Sequence, residues 1–523
     1  MIMNKRIKDP IGGLWLLQYL NIELFQPLPV MSGIGGRRST ENDLTNGLRI
    51  ELYQEQQRPL HTILAHLQFH LKNEIPHFEF LARFFQRIDH SLIQDWINRE
   101  PTGQYARRSA FLYEFFTEQD LIPPENLGGN YIDAMNAELL VSASPEKVEK
   151  NSRWRVNNNL AGNRHFCPIL IKTNAFIDAI ELNIKEKLNQ LDAELGGDYL
   201  LRSAIWLTLG ESKSSFKIEG ETDKSSRIQR FADVIARFTG VMPLPYDLSL
   251  LQAEILGKET IIKQLGIRQS PVFVGQTRHF EEIVHYIAPP HSTLSDKLSG
   301  MYQFWQKTEG QSPILRSAIL AFAFIYIHPL ADGNGRIHRF LFNDLLRRQK
   351  ATYEPIILPI SAVIAENSSE RNAYARILEI ISKPLMQSLA GKYTFSHHEN
   401  AYPDGIFSNL VLENSANAEP IWRYPNLTPH VAYFADLVKS AIVYMREESH
   451  YLRSHDLARE AIKEIIEMPN HYIDRIIRTV QNNDGVLSHK LAKEYPFLTE
   501  GERWQEIVNA IKNAFKTQST KKQ

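Results

Sequence analysis

Ten consecutive apolar residues, Ala318 to Ile327, run directly into His328-Pro329-Leu330-Ala331-Asp332-Gly333-Asn334-Gly335-Arg336-Ile337-His338-Arg339. A run of that length is too short to span a bilayer and long enough for a helix buried on every side. The chain must therefore build a core around this helix and then leave it abruptly. Pro329 disfavours continued helix at His328, and Gly333 and Gly335 admit backbone conformations that other residues resist. From Arg336 helical spacing resumes, with Ile337, Phe340, Leu341 and Leu345 on one face. The turn Gly333-Asn334-Gly335 thus sits at a helix N-terminus, where N–H groups and the helix dipole favour an anion. Arg336 and Arg339 lie about one helical turn apart, so both can be aimed at one polyanion.

The rest of the chain sets few limits on what this turn does. Its 523 residues, 43% of them hydrophobic, suffice for two to four domains with real cores. Lys+Arg at 59 nearly balance Asp+Glu at 60, which removes any global charge argument for wrapping nucleic acid or an anionic membrane. The single cysteine, Cys167, excludes an intramolecular disulfide framework and fits a reducing compartment. Lys5, Arg6 and Lys8 ahead of Leu14 to Leu20 loosely imitate a signal peptide, but Gln18 breaks the apolar run and no small-residue cleavage pattern follows. No stretch is long enough to cross a membrane, so the expectation is a cytoplasmic protein without a membrane partner.

Along the chain, periodicity predicts a mainly α protein. Residues 1 to about 45 read as irregular, with Ser32 to Thr40 a mobile basic glycine loop. Leu60 to Leu121 carries helical spacing, as in Phe78, Leu81, Phe84 and Phe85, and residues 1–170 are expected to form a mainly helical region of unknown role. Within it Tyr105, Arg107, Arg108, Phe111 and Tyr113 interleave bases with aromatics; a core stripe with arginines outside is the reading to prefer over nucleic-acid contact. Leu127 to Pro168 reads as connecting structure. Val272-Phe273-Val274 and Ile283 to Ile287 predict a hairpin just ahead of the central motif, able to accept a partner strand at its edge. His397 to Thr428, rich in Pro, Asn and Asp-Gly, reads as part of an irregular linker, 396–428. Residues 429–515 read as a winged-helix-like domain with a short strand at Leu487 to Leu491, and 516–523 as a disordered tail. Acidic residues such as Glu447, Glu448, Glu464 and Glu467 mix with the bases of that domain, so DNA binding is not the favoured role.

Three chemistries compete for the central stretch. A nucleotide-dependent transferase would use the glycine turn for phosphates, Asp332 for Mg²⁺ and His328 as general base. A metal site from His328, Asp332 and His338 has suitable ligand types, but leaves two arginines crowding a cation. A Rossmann or Walker loop is discarded, because the third glycine is replaced by His338, no Gly-Lys-Ser/Thr is present, and helix rather than strand precedes the turn.

The stretch resembles the Fic family signature, His-Pro-Phe-x-Asp/Glu-Gly-Asn-Gly-Arg-x-x-Arg, at every defined position except Leu330, where that family usually has phenylalanine. The substitution exchanges one core side chain for another and leaves the polar set intact. The resemblance covers about residues 175 to 390 and takes in the hairpin, which is like the family's flap. It also gives meaning to Ser215-Phe216-Lys217-Ile218-Glu219-Gly220, similar to the family's inhibitory motif Ser/Thr-x-x-x-Glu-Gly/Asn and located upstream, as in the group with an N-terminal inhibitory helix.

The resemblance implies a Fic-type helical catalytic domain over 171–395, with ATP and Mg²⁺, transferring AMP to a Ser, Thr or Tyr hydroxyl of a target protein. It assigns His328 as catalytic base, Asp332 to Mg²⁺, and Gly333, Asn334, Gly335, Arg336 and Arg339 to the nucleotide. Val284, His285, Tyr286 and Ile287 would align the target by strand addition, and Glu219, within Ser215 to Gly220, would inhibit by occupying Arg339. Transfer of another phosphate-linked group, removal of AMP, and a DNA-binding regulator are the alternatives. The helical additions at both ends are expected to recruit the target or to mediate a homodimer.

Overall fold

A computed structural model describes residues 7–43, 48–195, 198–221, 225–278 and 281–516. The chain divides into two compact units: Met1–Leu182, Lys224–Gln349 and Asn367–Asp436 in the first, and Asn183–Asp223, Lys350–Glu366 and Leu437–Gln523 in the second. Lys5, Arg6 and the tail from 517 lie outside the described residues.

The first unit begins with β1 (Pro10–Ile11), α1 (Gly12–Tyr19), β2 (Val30–Ile34), β3 (Ser39–Asp43) and β4 (Leu48–Tyr53), in a sheet ordered β1-β2-β4-β3 with β2 and β4 parallel. This corrects the irregular reading of residues 1 to 45. The strand at Val30 to Ser32 is buried on both faces, so it lacks the alternation that marks a half-exposed strand. Arg38, assigned to a mobile loop, donates to Glu51 at 2.7 Å and lies over the Tyr53 ring. The expected helices follow as α2 (Ile63–Asn73), α3 (Phe78–Arg87), α4 (His90–Arg99) and α5 (Gln104–Thr117). Thr62, His77 and Asp89 cap the first three by accepting from backbone N–H groups. Leu81, Phe84, Phe85 and Leu112 close their core. Arg107 is buried and donates to the Arg155 carbonyl at 3.0 Å, and Arg108 donates to the Asp133 carbonyl, so this stripe is structural.

The segment read as connecting structure forms a small sheet, β5 (Ile132–Asp133), β6 (Glu149–Asn151) and β7 (Val156–Asn158), ordered β5-β7-β6, beside buried Trp154 and Cys167. Then come α6 (Asn174–Ile180), and α7 (Ile184–Leu195) and α8 (Asp198–Ile218) of the second unit. The first unit resumes with α9 (Ser225–Phe238), α10 (Leu248–Leu256), the predicted hairpin β8 (Phe273–Arg278) and β9 (Glu281–Ile287), α11 (Leu294–Lys307), α12 (Pro313–Ile327) and α13 (Asn334–Arg348). After α14 (Ile360–Glu366) come α15 (Ser368–Ser388), a second hairpin β10 (Tyr393–Ala401) and β11 (Phe407–Leu412), α16 (Glu419–Arg423) and α17 (Thr428–Ile465). The second hairpin stands where an irregular linker was expected. His397 to Asn400 are exposed and polar, which hid the strand; Asp404-Gly405 makes its turn.

The second unit packs α8 against α14, with Glu211 accepting from the Ser361 N–H and hydroxyl at 2.6 Å each. Its C-terminal part adds α18 (Asn470–Asn482), α19 (His489–Glu494) and α20 (Arg503–Lys516) around Ile462, Ile473, Ile477, Leu491 and Ile507. The strand expected at Leu487 to Leu491 is not formed. Ser488 accepts from Leu491 N–H and opens α19 instead, so among the described residues this region carries no wing.

Helix α12 is buried along nearly its whole length and packs on α13. Between α12, α13 and α17 lie two interior histidines. His338 Nδ1 donates to the Ala321 carbonyl at 2.7 Å, between the rings of Phe322 and Phe342; His430 Nε2 bonds the Tyr326 hydroxyl at 2.7 Å. Desolvation drives both imidazoles down to about 3. At the other end of α13, Asp344 is fully buried and accepts from Gly240 N–H, the Tyr246 hydroxyl and Arg348 Nε.

Two outcomes follow for stability. Asp344→Ala strips a buried carboxylate from three donors and is expected to cost ~3–5 kcal/mol, seen as a lowered thermal midpoint, with Tyr246→Phe milder. Because the folded state keeps His338 and His430 neutral while the unfolded chain binds protons below about pH 6.5, stability is complete above that pH and falls with acidification. The loss is ~1.4 kcal/mol per pH unit for each ring until about pH 3. Denaturation at about pH 7 and about pH 5 checks this, and His430→Phe should flatten the slope.

Candidate active site

At His328 the chain leaves α12 in the left-handed conformation, φ 50°, as the proline behind it demands a break from helix. The imidazole folds back on its own helix, with Nδ1 3.1 Å from the Ile325 carbonyl. A carbonyl only accepts, so Nδ1 carries the proton and Nε2 keeps its lone pair. Desolvation, helped by the nearby Arg268 cation, lowers the ring to about 4 against the opposing effects of the Ile325 hydrogen bond and Asp332. The ring is therefore neutral at physiological pH, with Nε2 as an available base.

The loop that follows is shaped by Asn334. Its Oδ1 accepts from Leu330 N–H at 3.0 Å and its Nδ2 donates to the Leu330 carbonyl at 2.7 Å. Leu330 itself is fully buried, which accounts for an apolar residue at that position. Gly333 takes φ 91°, a conformation costly for any other residue, and caps α13 without a side chain. The first-turn N–H groups of α13 consequently have no intrahelical acceptor, an arrangement that favours an anion. Gln252 on α10 braces the loop by donating to the Asp332 carbonyl at 2.9 Å and accepting from Gly266 N–H at 2.8 Å.

Asp332 and the two arginines surround this turn. Asp332 Oδ1 accepts from Gly333 N–H at 2.6 Å and from Arg336 Nη2 at 3.2 Å, while the side chain stays 55% exposed. Arg336 and Arg339 are almost wholly buried, at 2% and 3% exposed. One exposed carboxylate suits Mg²⁺, which is commonly held by one or two carboxylates together with substrate phosphates. His338 does not join the site: it points into the core, so the set His328, Asp332, His338 is not assembled. Among the described residues no group of three or more His, Cys, Asp or Glu could hold a metal.

The flap stands beside the motif. β8 and β9 pair antiparallel from Phe273↔Ile287 to Arg278↔Glu281, with a bulge that leaves His285 as the extra residue. Of the four residues assigned to target alignment, His285 is exposed and Val284 partly so, whereas Tyr286 and Ile287 are buried. The Tyr286 hydroxyl donates to the Tyr326 carbonyl, so this side chain anchors the flap to α12 and only its backbone is left for a partner strand. Ser215, Glu219 and Gly220 lie in the second unit, at the end of α8. Ser215 is buried, and Gly220 ends the helix at φ 74° while Glu221 N–H bonds the Phe216 carbonyl at 3.0 Å. Gln252, Arg268 and Tyr286 in its anchoring role were not legible in the sequence, since each works through backbone groups brought close by the fold.

An anion-binding helix start, two arginines, an exposed carboxylate and a neutral imidazole are the parts of a phosphoryl- or nucleotidyl-transfer site. The Fic/DOC family profile matches residues 252–346. A protein adenylyltransferase Fic of Drosophila yakuba is 29% identical over 140 residues, 26% of this chain and 24% of that protein. Protein adenylyltransferase fic-1 of Caenorhabditis briggsae is 29% identical over 183 residues, 34% of each chain. The chain thus spans about a quarter to a third of the length of these relatives. A crystal structure of a Fic family protein from Desulfovibrio desulfuricans G20 overlaps 64% of this chain and 96% of that one, at 18% identity and a TM-score of 0.37. The stretch that matches the Fic/DOC family profile, residues 252–346, takes in the flap and the motif from His328 to Arg339.

Proposed function

We propose that the protein is an adenylyltransferase that moves AMP from ATP to a Ser, Thr or Tyr hydroxyl of a target protein. The observation that carries this reading is the His328 ring, its Nδ1 held by the Ile325 carbonyl so that Nε2 keeps its lone pair, in the loop that leads into the α13 N-cap Gly333. Nε2 takes the hydroxyl proton as the oxygen attacks the α-phosphorus. The new P–O bond forms as the bond to the β-phosphate oxygen breaks, and pyrophosphate departs. First-turn amides of α13 hold the α-phosphate, and Arg336 and Arg339 hold the outer phosphates. Mg²⁺ on Asp332 would neutralise phosphate charge when bound. A ring near 4 is a weak base, and the negative nucleotide beside it raises its proton affinity toward the working range. In-line transfer asks for positioning and charge neutralisation more than covalent help, which matches the parts available.

The flap backbone around Val284 and His285 receives an extended target segment as an added strand. Glu219 restrains the enzyme by occupying the Arg339 guanidinium, which then no longer holds the terminal phosphate.

Incubation of wild type and variants with ATP labelled at the α-phosphate and a cell lysate tests this reading. His328→Ala should lower labelling by ~10²–10⁴-fold, the usual worth of a general base. Glu219→Gly should raise it by roughly tenfold to a hundredfold, since a charge-assisted pair is worth ~1.5–3 kcal/mol. Equal labelling in all three proteins would refute the assignment. An adduct mass other than that of AMP would redirect it to another phosphate-linked group.

A further inference from the structure

Between α10 and the flap, the chain segment from Gly266 to Ser270 passes alongside the end of α12, and Arg268 is fully buried within it. Its guanidinium donates only to carbonyls: Nε to His328 at 2.8 Å, Nη1 to Ser270 at 2.7 Å and Nη2 to Pro289 at 2.6 Å. Its own N–H bonds the Pro329 carbonyl at 2.8 Å, and its carbonyl accepts from His291 Nδ1 at 2.6 Å. One side chain thus ties the residue that carries the base to both roots of the flap, Ser270 before β8 and Pro289 after β9. The His328 carbonyl closes α12 at the negative end of the helix dipole, which strengthens the attraction.

The segment is held from its other side by Asp404, in the turn between β10 and β11. This buried carboxylate accepts through Oδ2 from Gln269 N–H, Ser270 N–H and the Ser270 hydroxyl, each at 2.8 Å, and through Oδ1 from Ile406 N–H at 3.3 Å. The Asp404 carbonyl accepts from Lys263 N–H at 2.8 Å, and Phe395 of β10 meets Phe273 of β8 edge to face at 5.2 Å. The second hairpin lies outside the stretch matched to the family, 252–346.

We infer that Arg268 and Asp404 are positioning residues for transfer: the second hairpin, through Asp404, locks the 266–270 segment, and Arg268 there fixes His328 and the flap roots in one frame. This rests on the transfer reading given above. The phosphates are held elsewhere, on a turn closed by the Asn334 amide onto Leu330, so losing the lock should misplace the base and the target strand without loosening ATP.

The test compares Arg268→Lys, Asp404→Ala and Asp404→Asn in the full chain carrying Glu219→Gly, with α-labelled ATP and lysate proteins as acceptors. Arg268→Lys and Asp404→Ala should lower the apparent kcat at least tenfold while KM for ATP stays within twofold. Asp404→Asn, whose oxygen can still take the three donors, should restore most of the rate. The His328 imidazole, followed by its carbon-13 NMR signal, should broaden or shift in the first two variants and return in the third. Unchanged kcat with an unmoved His328 signal would overturn the inference, as would a parallel collapse of kcat, ATP binding and thermal midpoint that Asp404→Asn does not rescue. If the unsubstituted Glu219→Gly parent transfers no AMP, the transfer reading fails instead, and the His328 signal alone decides whether the two residues position it.

Discussion

A helix buried along most of its length must find protein partners for its last carbonyls, and α12 gives one of them, at His328, to the guanidinium of Arg268. That exchange sets the local geometry. The proline after it keeps His328 from continuing the helix, His328 takes a left-handed conformation, and the ring turns back to the Ile325 carbonyl. The following loop must then pass from the core to the mouth of α13 in a few residues. Leu330 keeps its start in the core, and the Asn334 amide closes it like a backbone ladder of two hydrogen bonds.

Charge is distributed with the same economy. Arg268, Arg336 and Arg339 are buried near one turn, an arrangement whose desolvation cost is tolerable only with dense acceptors or a bound polyanion. Arg268 meets that cost with carbonyls and serves architecture, despite sharing its residue type with Arg336 and Arg339 of α13. Residue type alone could not separate these roles. What separates them is the presence of orphaned carbonyls at a helix end and beside two prolines.

Much of the site was legible because its parts are consecutive in sequence. The apolar run, the proline, the two glycines and the arginine spacing announce a buried helix, a break and a new helix start, and all three are present. The flap was legible from its β-branched run ending at paired prolines. Elsewhere, elements were hidden where burial erased alternation, as in the β2 strand, or where a solvated strand carried mostly polar residues, as in β10. The short strand at Leu487 lost to a serine cap, a local hydrogen bond that outweighed β-propensity. Asp404 and Arg268 were invisible for a different reason: they are 136 positions apart and act on main chain.

The Asn334 clamp also bears on how the molecule ages. Asn-Gly is the dipeptide most prone to deamidate in a flexible chain, because the glycine nitrogen reaches the asparagine side-chain carbonyl through a freely rotating backbone. Here both ends of that amide are engaged with Leu330, and the Gly335 nitrogen lies in the first turn of a helix. Ring closure would require the turn to open. An aspartate formed there would lose the donor to the Leu330 carbonyl and set a negative charge against that oxygen. The hydrogen bonds that shape the loop thus set its chemical lifetime.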